Sequence, residues 1–128
     1  MSTEKRSSSV TIVFARITEA LRDLADVDFQ RRVWIEGSKA EVSSPAEVFS
    51  ALFDDSGLRD ALSRKQQVFS AGIDARLAAF DRRLKPIVTR LYFLDLIDLA
   101  KEIEGAEWSA VRAEASLLLE DISRSGVI

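Results

Sequence analysis

Apolar residues recur every three to four positions along most of this chain, the spacing of an amphipathic α-helix. Between residues 9 and 26 the apolar side chains fall within one arc of a helix, and Thr11, Glu19 and Arg22 lie opposite. The residues in the apolar arc are Val10, Val13, Phe14, Ile17, Ala20, Leu21 and Leu24. The pattern predicts a first helix over 9–26, beginning at a serine.

A second helix has a clear start signal. Ser44, Pro45 and Glu47 provide an N-cap hydroxyl, a proline at the first helical position and an acidic residue three positions after the cap. Gly57 follows two aspartates and a serine, and it suits a left-handed C-terminal cap. We expect a helix between these two signals.

The longest apolar stripe runs from Leu58 to Leu84. It predicts one helix of residues 58–84 or two helices joined near residues 65–67. Pro86 is expected to stop or kink it, because proline lacks a backbone N–H and restricts the residue before it. The same stripe offers an alternative use as a homodimer seam, through Leu58, Leu62, Phe69, Ile73 and Phe80.

Two further helices are predicted at the C-terminal end of the chain, over 87–104 and 107–124. Apolar residues surround the first of these almost completely, so we expect it to be central. Gly105 would close it. The second has one apolar face, made by Trp108, Val111, Ala115, Leu118, Leu119 and Ile122.

Only residues 33–42 suggest β-structure. Val33, Trp34 and Ile35 form a short β-prone run before an expected turn at Gly37, and the pattern leaves a hairpin or a loop open. The fold class predicted is all-α: a compact bundle of four to six helices with at most one short β-pair near 33–42. We expect residues 1–9 to be a disordered tail and residues 10–128 to form one helical domain.

The chain of 128 residues contains no histidine and no cysteine. Their absence excludes Ser-His-Asp and Cys-His catalysis as well as Cys/His zinc sites. No apolar run approaches the ~20 residues that cross a bilayer. We therefore expect a cytoplasmic, non-enzymatic protein with no cofactor and no membrane partner.

Charge is distributed unevenly along the chain. The net charge is −3 over residues 1–58, +5 over 59–90 and −5 over 91–128. Either the segments compensate one another inside the fold, or one charged face meets a partner of opposite sign. Nucleic acid is not expected, because the sequence pI is about 5.1 and the basic segment lacks interleaved aromatic residues.

Three acidic residues of the predicted helix 87–104 are candidate site residues. Asp95, Asp98 and Glu102 lie within about 60° of one another on a helical projection. Three interpretations stay open: a solvated edge or internal pairing with arginines of 59–90, an acidic ridge that docks a basic partner, or a Mg²⁺ or Mn²⁺ site.

The connecting segment around Trp34 is the other candidate. Trp34, Glu36 and Glu41 combine an aromatic residue with two carboxylates, and tryptophan is enriched at binding hot spots. The alternative is that Trp34 plugs the bundle. The leading functional hypothesis is a small protein of immunity, antitoxin or adaptor type that binds a basic protein partner through an acidic and aromatic surface. A divalent-metal-dependent phosphate-handling enzyme and a structural homodimer are the alternatives.

Overall fold

The structure is a computed structural model that describes residues 11–37 and 43–126. These residues form a compact all-α fold without a β-strand, as predicted, although the seven α-helices exceed the four to six expected. The helices are α1 (Phe14–Ala25), α2 (Val27–Phe29), α3 (Pro45–Ser50), α4 (Leu58–Ser63), α5 (Ala71–Tyr92), α6 (Leu96–Glu104) and α7 (Ala106–Arg124). None of the described helices has both the length and the apolar character needed to cross a bilayer.

Two of the short helices continue directly into π-helical segments. Helix α2 runs into Gln30–Ile35, and α3 runs into Ala51–Asp55. The β-prone interpretation of residues 33–35 is therefore wrong. Val33 and Trp34 are both buried although they are neighbours, which a π-helical turn permits and a strand with one solvated face does not. Residues 38–42 of the predicted hairpin lie outside the described residues.

Helix α1 is shorter than the sequence suggested. It begins at Phe14, after Val13 in extended conformation, and no side chain caps it. It ends at Ala25, because Asp26 is extended and its carboxylate accepts a hydrogen bond from the backbone N–H of Phe29 at 3.1 Å. The predicted disordered tail, residues 1–9, lies outside the described residues.

The predicted start and end signals of the second helix are confirmed. The Ser44 hydroxyl accepts a hydrogen bond from the backbone N–H of Glu47 at 3.1 Å, with Pro45 in the first turn. Gly57 has a φ of +83°, the left-handed conformation that favours glycine. These local signals hold because each depends on only a few consecutive residues.

The long apolar stripe divides into two helices, the second of the two predicted alternatives. Helix α4 ends at Ser63, and Lys65 then takes a φ of +59°. Asp74 holds the connection in place, because its carboxylate accepts hydrogen bonds from the backbone N–H groups of Val68 at 2.8 Å and Phe69 at 3.0 Å.

Pro86 does not end a helix, so the first of the two effects expected of it, a stop, is wrong. It lies inside α5, which continues for six residues to Tyr92. Pro86 is on the exposed side of α5, so the carbonyl of Arg82, which loses its intrahelical partner, is on the solvent side of the helix. On the opposite side Leu84, Ile87 and Val88 are buried, and this packing favours a continuous helix.

The core is built mainly by α1, α5 and α7, with α1 packed most extensively against α7. It includes the residues proposed as a homodimer seam: Leu58 is fully buried, Phe69 and Phe80 are buried, and Leu62 and Ile73 pack partly buried against the core. Those side chains are occupied within one chain. Leu58, Phe69 and Phe80 are therefore packed in the core of one chain and do not form an exposed seam.

A buried glutamine joins three parts of the fold. The Gln30 side-chain amide donates hydrogen bonds to the carbonyls of Asp23 at 3.0 Å and Leu24 at 2.9 Å. Its carbonyl oxygen accepts hydrogen bonds from the indole N–H of Trp108 at 2.9 Å and from Arg112 at 3.2 Å. The side chain is completely buried and all four of its hydrogen-bonding positions are used.

Arg112 extends this network to α6. Its guanidinium also donates a hydrogen bond to the carbonyl of Ile103 at 2.7 Å, near the C-terminal end of α6. Burial lowers the pKa of Arg112 from its usual value. Backbone carbonyl groups near the C-terminal ends of α1 and α6 therefore accept hydrogen bonds from two side chains that contact each other, Gln30 and Arg112.

Ion pairs join helices at the surface, and arginines of the 59–90 segment take part in them as one interpretation predicted. Arg59 forms a two-point hydrogen-bonded pair with Asp81, at 2.7 and 2.8 Å, and its guanidinium lies over the rings of Phe49 and Phe53. Two further pairs between elements are Arg76 with Asp121 and Arg31 with Glu104.

We predict that Gln30→Leu destabilises the protein by about 2–4 kcal/mol, because the carbonyls of α1, the Trp108 indole and Arg112 all lose a buried partner. Urea unfolding measures this loss. Gln67→Leu, at an exposed position, is the matched control and should change the free energy of unfolding by less than about 0.5 kcal/mol. Equal effects of the two substitutions would contradict the role given to Gln30.

We also predict a pH dependence from Glu104. Its hydrogen bond from Arg31 lowers the pKa of Glu104 below the ordinary value of 4.5 in the folded state. The stabilisation is therefore complete above the unfolded-state pKa and is lost as the pH falls through the folded-state pKa. Between about pH 5 and pH 3 the free energy of unfolding should fall less steeply in Glu104→Gln than in the wild type. Arg31→Gln should show the same reduced slope, and an unchanged slope in both variants would refute the assignment.

Candidate functional site: the α5–α6 corner

The predicted central helix over 87–104 does not exist as one helix. Helix α5 ends at Tyr92 and α6 begins at Leu96, with a turn between them. The turn forms because the Asp95 carboxylate accepts a hydrogen bond from the backbone N–H of Asp98 at 2.8 Å and caps α6. A new helix direction therefore begins at Asp95, so apolar residues before and after it no longer belong to one helical surface.

The apolar side chains at this turn face solvent. Four bulky residues, which we call the α5–α6 corner, are mostly exposed: Tyr92 at 73%, Phe93 at 79%, Leu96 at 60% and Ile97 at 70%. The expectation that the segment 87–104 is central in the fold is thus wrong for these four residues. Residues on both sides of the corner, Leu91 and Leu99, are buried.

The residues beneath the corner are packed into the core. Leu91, Leu99 and Ile103 are buried in the core and Leu94 packs partly buried against it. The rings of Tyr92 and Phe93 meet edge to face, with centroids 5.2 Å apart. The two exposed aromatic rings are therefore held next to each other by the packed ends of the two helices.

An apolar groove of about 310 Å³ adjoins the corner, between α3 and α5. We call it the α3–α5 groove; its lining residues are Ala46, Phe49, Lys85, Val88, Thr89, Tyr92 and Phe93. Lys85 is its one charged lining residue. Lys85 forms no ion pair with any carboxylate in the described part of the chain, so its ammonium group is available to a partner.

The three candidate acidic residues differ in the contacts that they make. Asp95 and Asp98 are exposed beside the corner, and neither forms an ion pair within residues 11–37 and 43–126. Glu102 is paired instead: its carboxylate accepts a hydrogen bond from Arg90 at 3.0 Å, which raises the pKa of Arg90. Arg90 also pairs with Glu107. Two of the three predicted carboxylates therefore remain available to a partner.

The second predicted site, around Trp34, is not a surface site. Trp34 is buried, its ring packs against those of Phe29 and Trp108, and its indole N–H donates to the Ser43 hydroxyl at 3.3 Å. The interpretation of Trp34 as a plug is the one that fits. Glu36 is exposed, and Glu41 lies outside the described residues.

A metal centre finds no geometric support in this region. No group of three or more acidic side chains among the described residues is placed to hold a metal ion. Of the three candidate carboxylates, Glu102 is bonded to Arg90. The corner is suited to apolar contact with charge at its edge.

The four corner residues were not among the predicted site residues, because helical periodicity places them on one continuous helix. A signal was present: Asp95 followed three positions later by Asp98 fits an N-cap with an acidic residue in the first turn. Recognising a helix start at Asp95 would have separated Tyr92 and Phe93 from Leu96 and Ile97. Their exposure still depends on the direction that α6 takes.

Comparisons with protein-family models, with characterised protein sequences and with solved structures gave no match. The site is therefore interpreted from its own geometry.

We predict that the corner contributes little to folding stability. Ile97→Ala should change the free energy of unfolding by less than about 0.5 kcal/mol, because the side chain is already largely in water. Ile103→Ala, the same substitution at a fully buried position of the same helix, should cost about 2–5 kcal/mol. Urea unfolding of both variants provides the comparison, and a large effect of Ile97→Ala would show that the corner is structural.

Proposed function

We propose that this chain is a small, non-enzymatic cytoplasmic protein that binds another protein through the α5–α6 corner, in the manner of an immunity protein, an antitoxin or an adaptor. The partner presents an apolar surface to the corner and basic residues to Asp95 and Asp98. The cytoplasmic location is an expectation from composition.

The observation that carries this proposal is the grouping of four bulky exposed apolar residues at one turn. Isolated exposed apolar residues are common on proteins and need no explanation. A contiguous group is different, because such groups mark interaction surfaces, and exposed tyrosine and phenylalanine side chains supply much of the contact energy in interfaces. Because the residues beneath the group are already packed, its organisation on binding costs mainly the rotamer freedom of the four exposed side chains.

Charge supports a basic partner. Asp95 and Asp98 lie at the edge of the apolar group, and residues 91–128 carry a net charge of −5. A partner of opposite charge would be attracted before contact, so its association rate would rise as the salt concentration is lowered. A metal-dependent activity has no comparable support, because no group of three or more acidic side chains among the described residues is placed to hold a metal ion.

We predict site-specific cross-linking at the corner. A photo-reactive phenylalanine analogue placed at Phe93 should cross-link one protein in lysate of the source organism, and the same analogue at Leu117 should not. Leu117 is the matched control, being an apolar residue exposed at 51% on α7. Excess wild-type protein should compete for the cross-link, whereas a Phe93→Ser, Ile97→Ser variant should not compete.

The captured protein then allows a direct test of charge. With both proteins purified, the association rate should fall by about tenfold or more as salt rises from low to physiological concentration, and Asp95→Asn with Asp98→Asn should reduce that dependence. Asparagine keeps the helix cap at position 95. Cross-links of equal yield from the two positions, or an association rate insensitive to salt, would contradict the proposal.

A further inference from the structure

One exposed stripe of α5 continues the corner in the opposite direction. Arg82, Lys85, Thr89 and Phe93 fall within about 80° of one another around the helix axis, and all four are exposed. We call these residues the α5 stripe. Its cationic end lies about 16 Å from Phe93 along the helix, given a rise of 1.5 Å per residue.

The charged groups at the two ends of this surface have opposite sign. Neither Arg82 nor Lys85 forms an ion pair with a carboxylate in the described ranges, and the same holds for Asp95 and Asp98 beyond the other end. Between them lie the corner and the α3–α5 groove, whose lining is apolar except at Lys85 and Thr89. The order along the surface is therefore cationic, apolar, anionic.

Such a surface is complementary to itself. When two identical surfaces face each other across a two-fold axis that passes through their middle, each end of one meets the opposite end of the other. The cationic end of one copy then meets the anionic end of its partner at both edges. In the same arrangement the apolar middle of each copy faces the apolar middle of the other.

We propose that a second copy of this chain covers the corner, in a two-fold dimer in which Arg82 and Lys85 of each protomer face Asp95 and Asp98 of its partner. The dimer does not rest on the proposed function, since it is a property of the purified chain. It goes beyond that function in one respect: a dimer would compete with a heterologous partner for the same surface.

The interface should be weak, because its apolar part consists of only four exposed side chains and one groove of about 310 Å³. Sedimentation equilibrium of the purified full chain should show a monomer–dimer equilibrium with a dissociation constant on the order of 10–100 μM. Phe93→Ser with Ile97→Ser should raise this constant by about tenfold or more, and Leu117→Ser should leave it unchanged.

Charge reversal gives the sharper test. Arg82→Glu with Lys85→Glu makes both ends of the surface anionic, and Asp95→Asn with Asp98→Lys makes its anionic end cationic. Each variant alone should be monomeric where the wild type is dimeric, since like charges then face each other. An equimolar mixture of the two should form a heterodimer. Arg83→Glu, at ~160° from Lys85 around α5, is the control and should dimerise like the wild type.

The outcomes separate cleanly. Formation of the heterodimer also shows that both variants are folded. A wild type that is monomeric at all concentrations overturns the dimer, and the cross-linking experiment then still tests partner binding. A dimer that survives the corner substitutions shows that the interface lies elsewhere on the protein. A mixture that stays monomeric while the wild type dimerises overturns the pairing of Arg82 and Lys85 with Asp95 and Asp98 across the two-fold axis. Binding of a monomeric chain to phosphatidylserine vesicles would assign the surface to lipid and also overturn the dimer.

Discussion

The hydrogen bonds of the buried Gln30 side chain hold the arrangement of the other helices together. A polar side chain without any exposure is stable only when each of its donors and acceptors has a partner. Gln30 meets that condition by bonding the end of α1 and the Trp108 indole at once, and Arg112 carries the connection to the end of α6. Because these partners come from distant parts of the chain, the network fixes which helices are neighbours and thereby where α6 lies.

The position of α6 determines the candidate site. Its N-terminus is fixed by the Asp95 cap and its C-terminal end by the bond from Arg112 to Ile103, so the helix has little freedom to cover the corner. Tyr92 and Phe93 consequently remain exposed above a packed base. An exposed apolar surface above packed residues is suited to binding, because the backbone that carries it does not have to be ordered when a partner arrives.

The same surface carries both functional ideas, binding of a basic protein and pairing with a second copy. The two modes of binding use different charged residues of this surface. A basic partner needs only Asp95 and Asp98, whereas the dimer needs in addition Arg82 and Lys85, which pair with no carboxylate among the described residues. A corner that is covered by a second copy cannot bind another protein at the same time. The concentration of this protein would therefore control, by mass action, how many corners are free to bind a partner.

The sequence by itself determined the all-α class, the Ser44 cap, the left-handed Gly57 and the last helix, because helical periodicity and capping depend on residues within one or two turns of each other. It did not determine whether Pro86 would end a helix, nor that Trp34 is buried. Most of all it did not place the corner, because periodicity treats a chain as one straight helix until something breaks it. Only tertiary packing decides which side of a helix meets the core, and therefore which apolar residues stay in water.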